Sequence, residues 1–314
     1  MLILSEEQVR ERLSIDEVVA SLEKMFGRDY GKTANIPLRT TMQAFGGSTC
    51  LVMPCSDSAL PAAGLKVVTV RDGGTSNGDR VQANCFLLEP ESLKVCAMLS
   101  ANYLTEVRTA AVSAIATRAL ARTDSRTLGV FGTGRQALAH LLLLSRDKKF
   151  ERLLVCGSQR SRSESFAELL ADHHGVQVEP VSAAVCAEES DVICTCTTSS
   201  VPLFDGKVIR QGTHLNLVGA FQPENREVDD ALVARSRIVV DSYEGALSEA
   251  GDLLIPLGRG IITHDSIVAD LHEIVSRKVI GRKDPRDITL FKSVGFALED
   301  LVVASLLYER ELKN

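Results

Sequence analysis

A chain of 314 residues is about twice the usual single-domain length. It predicts two domains, with enough interior that no metal or disulfide is needed for stability. Apolar residues make up 45% and charged residues 24%, which argues against long disordered arms. Lys plus Arg number 35 against 41 Asp plus Glu; the net charge of −6 gives no general attraction to nucleic acid or anionic membrane, though it leaves room for a local basic pocket.

No apolar run approaches the ~18 residues that cross a bilayer. Met1 to Gln8 turns acidic at once, without the basic and apolar regions of a secretory signal. Eight scattered cysteines, mostly within apolar stretches such as Val192 to Cys196, are expected as buried thiols in a reducing cytoplasm. Cys194 and Cys196 would share one face of a strand. With no second Cys or His pair at ligand spacing nearby, no metal site is predicted.

In chain order, Ser5 to Met25 reads as an amphipathic helix with Val9, Leu13, Val18, Val19 and Leu22 on one side. Short β-like runs follow at 49–53, 64–70, 83–88 and 94–99, with the turn-rich segment Asp72 to Asp79 among them. Consecutive strands without intervening helices predict an antiparallel or mixed sheet. Leu104 to Arg122 is an Ala-rich helix, apolar on nearly every side and so expected to be buried. Strands and helices then alternate: strand 127–131, helix 135–145, strand 152–156, helix 162–173, and strands near 176–179, 192–195, 214–218 and 237–240. Such alternation implies right-handed crossovers and a parallel sheet. A third part runs from Ile288 into a C-terminal helix whose apolar stripe includes Leu298, Leu301, Val302 and Leu306.

The first strand of the alternating region runs into Gly132-Thr133-Gly134-Arg135-Gln136-Ala137 and then a helix. Gly132 suits the tight turn, Gly134 lets backbone approach a pyrophosphate, and Ala137 lets helix and strand pack closely. The helix N-terminus offers amides and a positive dipole end to phosphates. At the start of a series of βα units this pattern predicts a dinucleotide site rather than a plain turn. An NAD site usually carries Asp or Glu at the end of the second strand. Here that strand ends Cys156-Gly157-Ser158-Gln159-Arg160-Ser161-Arg162, and Ser158, Arg160 and Arg162 suit a 2′-phosphate. The expected cofactor is NADPH, with NADH also possible; two solvated arginines at a helix start are the other reading.

Three cations sit in apolar company: Arg39 after Ile36-Pro37-Leu38, Lys66 within a strand, and Arg108 in the Ala-rich helix. Each must find an anionic partner. The partner is either an internal Asp or Glu or a substrate carboxylate gripped by Arg39 and Arg108 with Lys66 as a third charge.

These residues resemble the ornithine cyclodeaminase/μ-crystallin family, and the likeness covers almost the whole chain. It rests on Arg39, Val52-Met53-Pro54, Lys66, Gln82, Leu104 to Ser113, Gly132 to Ala137 and Ser293 to Asp300. The resemblance implies an α/β chain in which a Rossmann-type doubly wound parallel sheet (119–290) is inserted into a second, α+β domain. That domain, built from both chain ends (1–118 and 291–314), serves substrate binding and dimerisation in a homodimer. It further implies that Arg39, Lys66 and Arg108 hold the carboxylate of a small imino or amino acid, that Met53 lines its pocket, and that Thr197, Val218 and Ser293 edge the nicotinamide.

Three departures narrow the expectation. Phe221 stands where cyclodeaminases carry an Asp that handles the amino group or attacking water; Leu51 replaces a second acid; Gly157 falls near the acid that marks NAD use. Cyclisation with ammonia loss lacks its polar apparatus, whereas hydride transfer does not need it. The resemblance therefore implies a reductase of cyclic ketimines such as Δ1-pyrroline-2-carboxylate or Δ1-piperideine-2-carboxylate, giving L-proline or L-pipecolate, with Lys66 orienting or protonating the imine. The alternatives are an ornithine cyclodeaminase, an alanine or imino-acid dehydrogenase on the same scaffold, and a non-catalytic NADPH-dependent binder of small ligands.

Overall fold

The computed structural model describes residues 1–71 and 81–313, so the segment from Asp72 to Asp79 lies outside the described residues. Strand β1 (Leu2–Leu4) leads into α1 (Glu6–Arg12) and α2 (Ile15–Gly27). The single helix expected from Ser5 to Met25 is therefore two. Ser14 breaks it: its hydroxyl accepts from the Glu17 amide while Leu13 takes extended backbone, a local bond that competes with helix continuation. Then come β2 (Ala34–Asn35), β3 (Thr40–Gln43), β4 (Thr49–Asp57), β5 (Ala63–Val70), β6 (Val81–Leu88), β7 (Val95–Ser100) and α3 (Asn102–Leu120).

The alternating region supplies β8 (Thr127–Phe131), α4 (Arg135–Asp147), β9 (Arg152–Cys156), α5 (Arg160–His174), β10 (Glu179–Pro180), α6 (Ala183–Glu189), β11 (Val192–Thr195) and β12 (His214–Leu217). It continues through α7 (Asp230–Arg235), β13 (Ser236–Val240), α8 (Tyr243–Glu249), α9 (Gly251–Gly258), β14 (Ile267–Asp270), α10 (Leu271–Val275) and β15 (Ile288–Lys292), before α11 (Ala297–Lys313) closes the chain. The strand expected at 176–179 shrinks to two residues at 179–180, because Gly175, left-handed at φ 65°, caps α5 and leaves little chain for pairing.

By internal contacts the chain divides into two units: Met1–Ala111 with the segment from Gly295 onward, and Val112–Val294. These borders differ from the expected 118/119 and 290/291; β15, which spans the second of them, pairs along its length with β12 and β13 and so lies wholly in the second unit.

The first unit's sheet runs β1-β7-β6-β5-β4-β2, with β3 also on β4. Its pairs are antiparallel except β1 with β7, so the sheet is mixed. Side chains alternate across a strand, which brings Gly64, Lys66 and Val68 of β5 to the buried face beneath α11. Gly64 permits that approach: a Cβ there would lie 2.7 Å from Phe86 O and 3.1 Å from Leu301 Cδ1.

The second unit is a parallel sheet in the order β10-β9-β8-β11-β12-β15-β13-β14, with β15 wedged between β12 and β13. The order reverses between β8 and β11, and open sheets of this kind bind ligands at such a switch point, beyond the carboxyl ends of the strands. The hydrophobic cluster includes Phe131, Leu154, Ile193, Leu215, Leu217, Ile238 and Leu290.

Two histidines inside this unit make a pH prediction. His140 bonds Gln136 O through Nδ1 at 2.8 Å and Ser113 Oγ through Nε2 at 2.9 Å. His214 bonds Thr289 and Asn216. Burial pushes His140 down to about 4; burial together with Arg282 pushes His214 to about 3. An unfolded imidazole titrates near 6.5, so below that pH the unfolded chain takes up protons that the native state refuses. Their stability contribution is complete above pH 6.5 and is lost as pH falls toward those values, by about 2 kcal/mol per imidazole between pH 7 and pH 5. Urea unfolding at the two pH values measures it. His140→Gln should remove about half of the histidine contribution to that slope.

Candidate active site

The nucleotide turn lies in the second unit. Gly132 has φ 114°, a left-handed value that favours glycine, and a Cβ there would sit 2.6 Å from Cys196 O. Nothing lies within 4 Å of a Cβ built on Gly134, which precedes α4 with no side chain capping the helix amides. Ala137 is fully buried under the helix. Open space before a run of amides suits a pyrophosphate, so the turn fits a dinucleotide. Thr133 approaches the end of β9 closely: a Cβ on Gly157 would fall 2.9 Å from its Cγ2. No carboxylate stands there, and Ser158, Arg160 and Arg162 follow on the surface. Arg160 Nε donates to Glu164 at 2.8 Å, an exposed pair one helical turn on and therefore weakly held.

Of the residues expected beside the nicotinamide, Thr197 donates twice to Glu227. Val218 is half-buried after β12. Ser293 directs its hydroxyl to Asp241 at 3.0 Å, a buried acid that also accepts from the Val294 amide. Phe221 packs against the second unit's hydrophobic cluster.

The cations lie in the first unit. Met53, Lys66 and Cys85 are aligned across β4, β5 and β6. Met53, Lys66 and Asp300 line a small recess with Leu301 and Ala304. Lys66 Nζ lies 2.6 Å from Asp300 Oδ2, and Arg108 reaches Asp300 Oδ1 at 3.0 Å and Glu299 Oε2 at 2.7 Å. The internal-carboxylate alternative thus holds for Lys66 and Arg108, which are paired by acids from the first turn of α11, itself a favourable place for negative charge, and Arg39 also acts to lower the Asp300 carboxyl. Arg39 Nη2 donates to Gly295 O at 2.8 Å. Gly295 is left-handed at φ 74°, and a Cβ on it would come within 2.4 Å of Arg108 Nη1.

Among the described residues Lys66 has Asp300 as its single ionic or hydrogen-bonding partner, and an ammonium has three protons. Burial, joined by Arg108, lowers the Lys66 pKa, while Asp300 works against them. Burial acts to raise the Asp300 carboxyl, but Arg108 and Lys66 hold it below the ordinary carboxylate range. Cys85 is pushed up to about 12 by burial and is an inert thiol at neutral pH.

Sequence reasoning missed the acids Glu299 and Asp300 as partners, and with them a second buried cluster, Glu227, Asp252 and Lys292. Lys292 carried a usable signal, being a cation within the apolar run Leu290-Phe291-Lys292, the same mark that singled out Lys66. All eight cysteines are free, and among the described residues no three His, Cys, Asp or Glu side chains gather as a metal site. Among the described residues no helix is long and apolar enough to cross a membrane.

A doubly wound parallel sheet with a glycine turn after its first strand defines the class: a Rossmann-type dinucleotide-binding α/β protein. The chain belongs to the ornithine cyclodeaminase/mu-crystallin family, whose model matches residues 1–314. It is 33% identical to a Delta(1)-pyrroline-2-carboxylate reductase of Bacillus cereus over 320 residues, covering 100% of this chain and 98% of that protein. The solved Delta(1)-pyrroline-2-carboxylate reductase of Thermococcus litoralis, in complex with NADH and L-proline, superposes with a TM-score of 0.95 at 37% identity, covering 100% and 98% of the two chains. An archaeal alanine dehydrogenase dimer with bound NAD superposes with a TM-score of 0.92 at 29% identity, covering 100% and 96%.

Proposed function

We propose that this protein is a nicotinamide-dependent reductase of cyclic ketimine carboxylates, converting Δ1-pyrroline-2-carboxylate or Δ1-piperideine-2-carboxylate to the cyclic amino acid. The observation that carries the reading is the buried Lys66 ammonium, held on one side by Asp300 with protons left for a ligand. A substrate carboxylate would take the Lys66 ammonium protons that Asp300 leaves, beside the guanidiniums of Arg39 and Arg108. Gly132 to Ala137 would hold the dinucleotide's phosphates, and Thr197, Val218 and Ser293 its nicotinamide end; when bound, that group supplies the hydride. Lys66 orients the imine and gives it a proton, since an iminium carbon accepts hydride more readily, and a lysine whose pKa is depressed by burial gives up its proton more easily. Met53 and Phe221 offer apolar surface to an apolar ring. Phe221 can neither accept a proton nor bind an ammonium, which sets this chain apart from the deaminating reaction.

NADPH is the proposed preferred cofactor, with NADH accepted: the end of β9 lacks an acid, and a 2′-phosphate can displace Glu164 from the exposed Arg160. We also propose a homodimer through the first unit's sheet, whose outward face carries half-exposed Leu65, Val67, Phe86, Leu88 and Met98, and cytoplasmic residence, which eight free thiols support. Sedimentation should give twice the 34.0 kDa chain mass.

A substrate panel tests the function. Both cyclic imines should oxidise the cofactor, with the higher kcat/KM for NADPH, and L-ornithine should release no ammonia. The likeness to an alanine dehydrogenase gives the second reading, reduction of pyruvate only when ammonium is present. That outcome, ammonia from ornithine, or no imine turnover would each overturn the assignment.

A further inference from the structure

Glu227 is fully buried in the second unit, at the carboxyl ends of β11 and β12. Its Oε2 accepts from Thr195 Oγ1 at 2.7 Å and the Gly219 amide at 2.8 Å. Its Oε1 accepts from the Thr197 amide and Thr197 Oγ1, both at 2.7 Å. Four donors on one carboxylate join the segment after β11 to the segment after β12. Gly219 fits this junction because a Cβ there would lie 2.1 Å from Thr197 O and 2.4 Å from Glu227 Oε1.

The clamp is itself braced. Asp252 Oδ1 accepts from the Glu227 and Val228 amides at 2.7 and 3.1 Å, and Asp252 Oδ2 meets Lys292 Nζ at 2.9 Å. Lys292 Nζ also donates to Ala220 O at 2.5 Å, so β15 is tied directly to the segment after β12 and, through Asp252, to the Glu227 backbone. Leaving any of these buried groups unpaired is costly, so the cluster has one low-energy arrangement. Its location is what gives it a function. In doubly wound sheets the nucleotide lies across the carboxyl ends of the strands, with its phosphates at the first glycine turn. The segments that Glu227 joins are those after the fourth and fifth strands; Cys196 of the first adjoins the turn at Gly132, but the bonds of Glu227 itself go to Thr195, Thr197 and Gly219.

We infer that Glu227 is a positioning residue for the nicotinamide half of the cofactor: by fixing Thr197 and Gly219 it holds the surface against which the ring rests, without touching the phosphate turn. This rests on the nucleotide assignment made above. Glu227→Gln keeps the shape but turns one acceptor into a donor facing other donors, loosening one of the two segments.

The test compares NADPH with 2′-phospho-ADP-ribose, the same molecule without its nicotinamide. Glu227→Gln should weaken NADPH about tenfold and leave 2′-phospho-ADP-ribose within about twofold. The fluorescence of bound NADPH should shift toward that of the free nucleotide. Thr195→Val, which removes a single donor to Oε2, should act in the same direction by about threefold. NADPH affinity like the wild type in both variants would overturn the inference. So would equal loss of both ligands, or a Glu227→Gln chain that does not fold beside a Thr195→Val chain that binds normally. A wild type that binds neither nucleotide removes the cofactor assignment and this inference together. Neither measurement uses the imine, so failure of ketimine turnover alone would defeat the substrate assignment, and the binding ratios would still decide on Glu227.

Discussion

Lys66→Met is expected to lower kcat for ketimine reduction about a thousandfold while NADPH affinity stays within about threefold of the wild type. Methionine matches the length of the lysine stem and keeps the apolar packing of β5, but it removes both the charge facing the substrate acid and the proton offered to the imine. Positioned proton transfer alone is worth about 10²–10⁴ in rate. The nucleotide turn belongs to the other unit, so its affinity is the internal control. The variant also leaves Glu299 and Asp300 facing Arg108 with one cation fewer, so a lowered melting temperature accompanies the kinetic loss. Assaying well below that temperature separates the two effects. Steady-state kinetics on the folded variant showing kcat within tenfold of the wild type would mean that Lys66 is only a structural counter-ion of Asp300.

The readable parts of this chain were those where one local motif carries its own steric demand. Gly132 must be left-handed and close to Cys196, and Ala137 must be small; both demands are written within six consecutive residues. Lys66 stands out because charge in an apolar strand requires a partner, yet that partner lies on α11. The bond from Arg108 to Asp300 spans 192 positions, and no local pattern reports such a distance. For the same reason the place of β15 between β12 and β13 was not legible, since strand order is a property of crossovers rather than of the strand's own residues. Ser14 splits the first helix on a local signal, a serine followed by Asp16 and Glu17, that the continuous apolar spacing of Val9, Leu13 and Val18 masked.

Asp300→Asn turns the same geometry into a pH experiment. Asp300 is the acid shared by Lys66 and Arg108, and it opposes the burial that lowers the Lys66 pKa. Removing its charge leaves burial and Arg108 unopposed, so the Lys66 pKa falls further. If protonated Lys66 is the active form, activity is lost as pH rises through that pKa. A lower pKa therefore moves the alkaline limb of the kcat/KM profile toward acid. The stability effect has its own pH signature. A carboxyl whose folded pKa is depressed contributes stability that is complete above its unfolded pKa, near 4, and is lost as pH falls through the folded value. Asp300→Asn should thus be destabilised by about 3 to 5 kcal/mol at neutral pH, the usual cost of breaking a buried pair. The difference from wild type should shrink only below about pH 4, where the unfolded carboxyl takes up a proton that the native one still refuses. A displaced alkaline limb, read on the folded variant well below its melting temperature, would identify Asp300 as the group that sets the Lys66 proton. An unmoved limb beside a large stability loss would reduce Asp300 to a structural counter-ion.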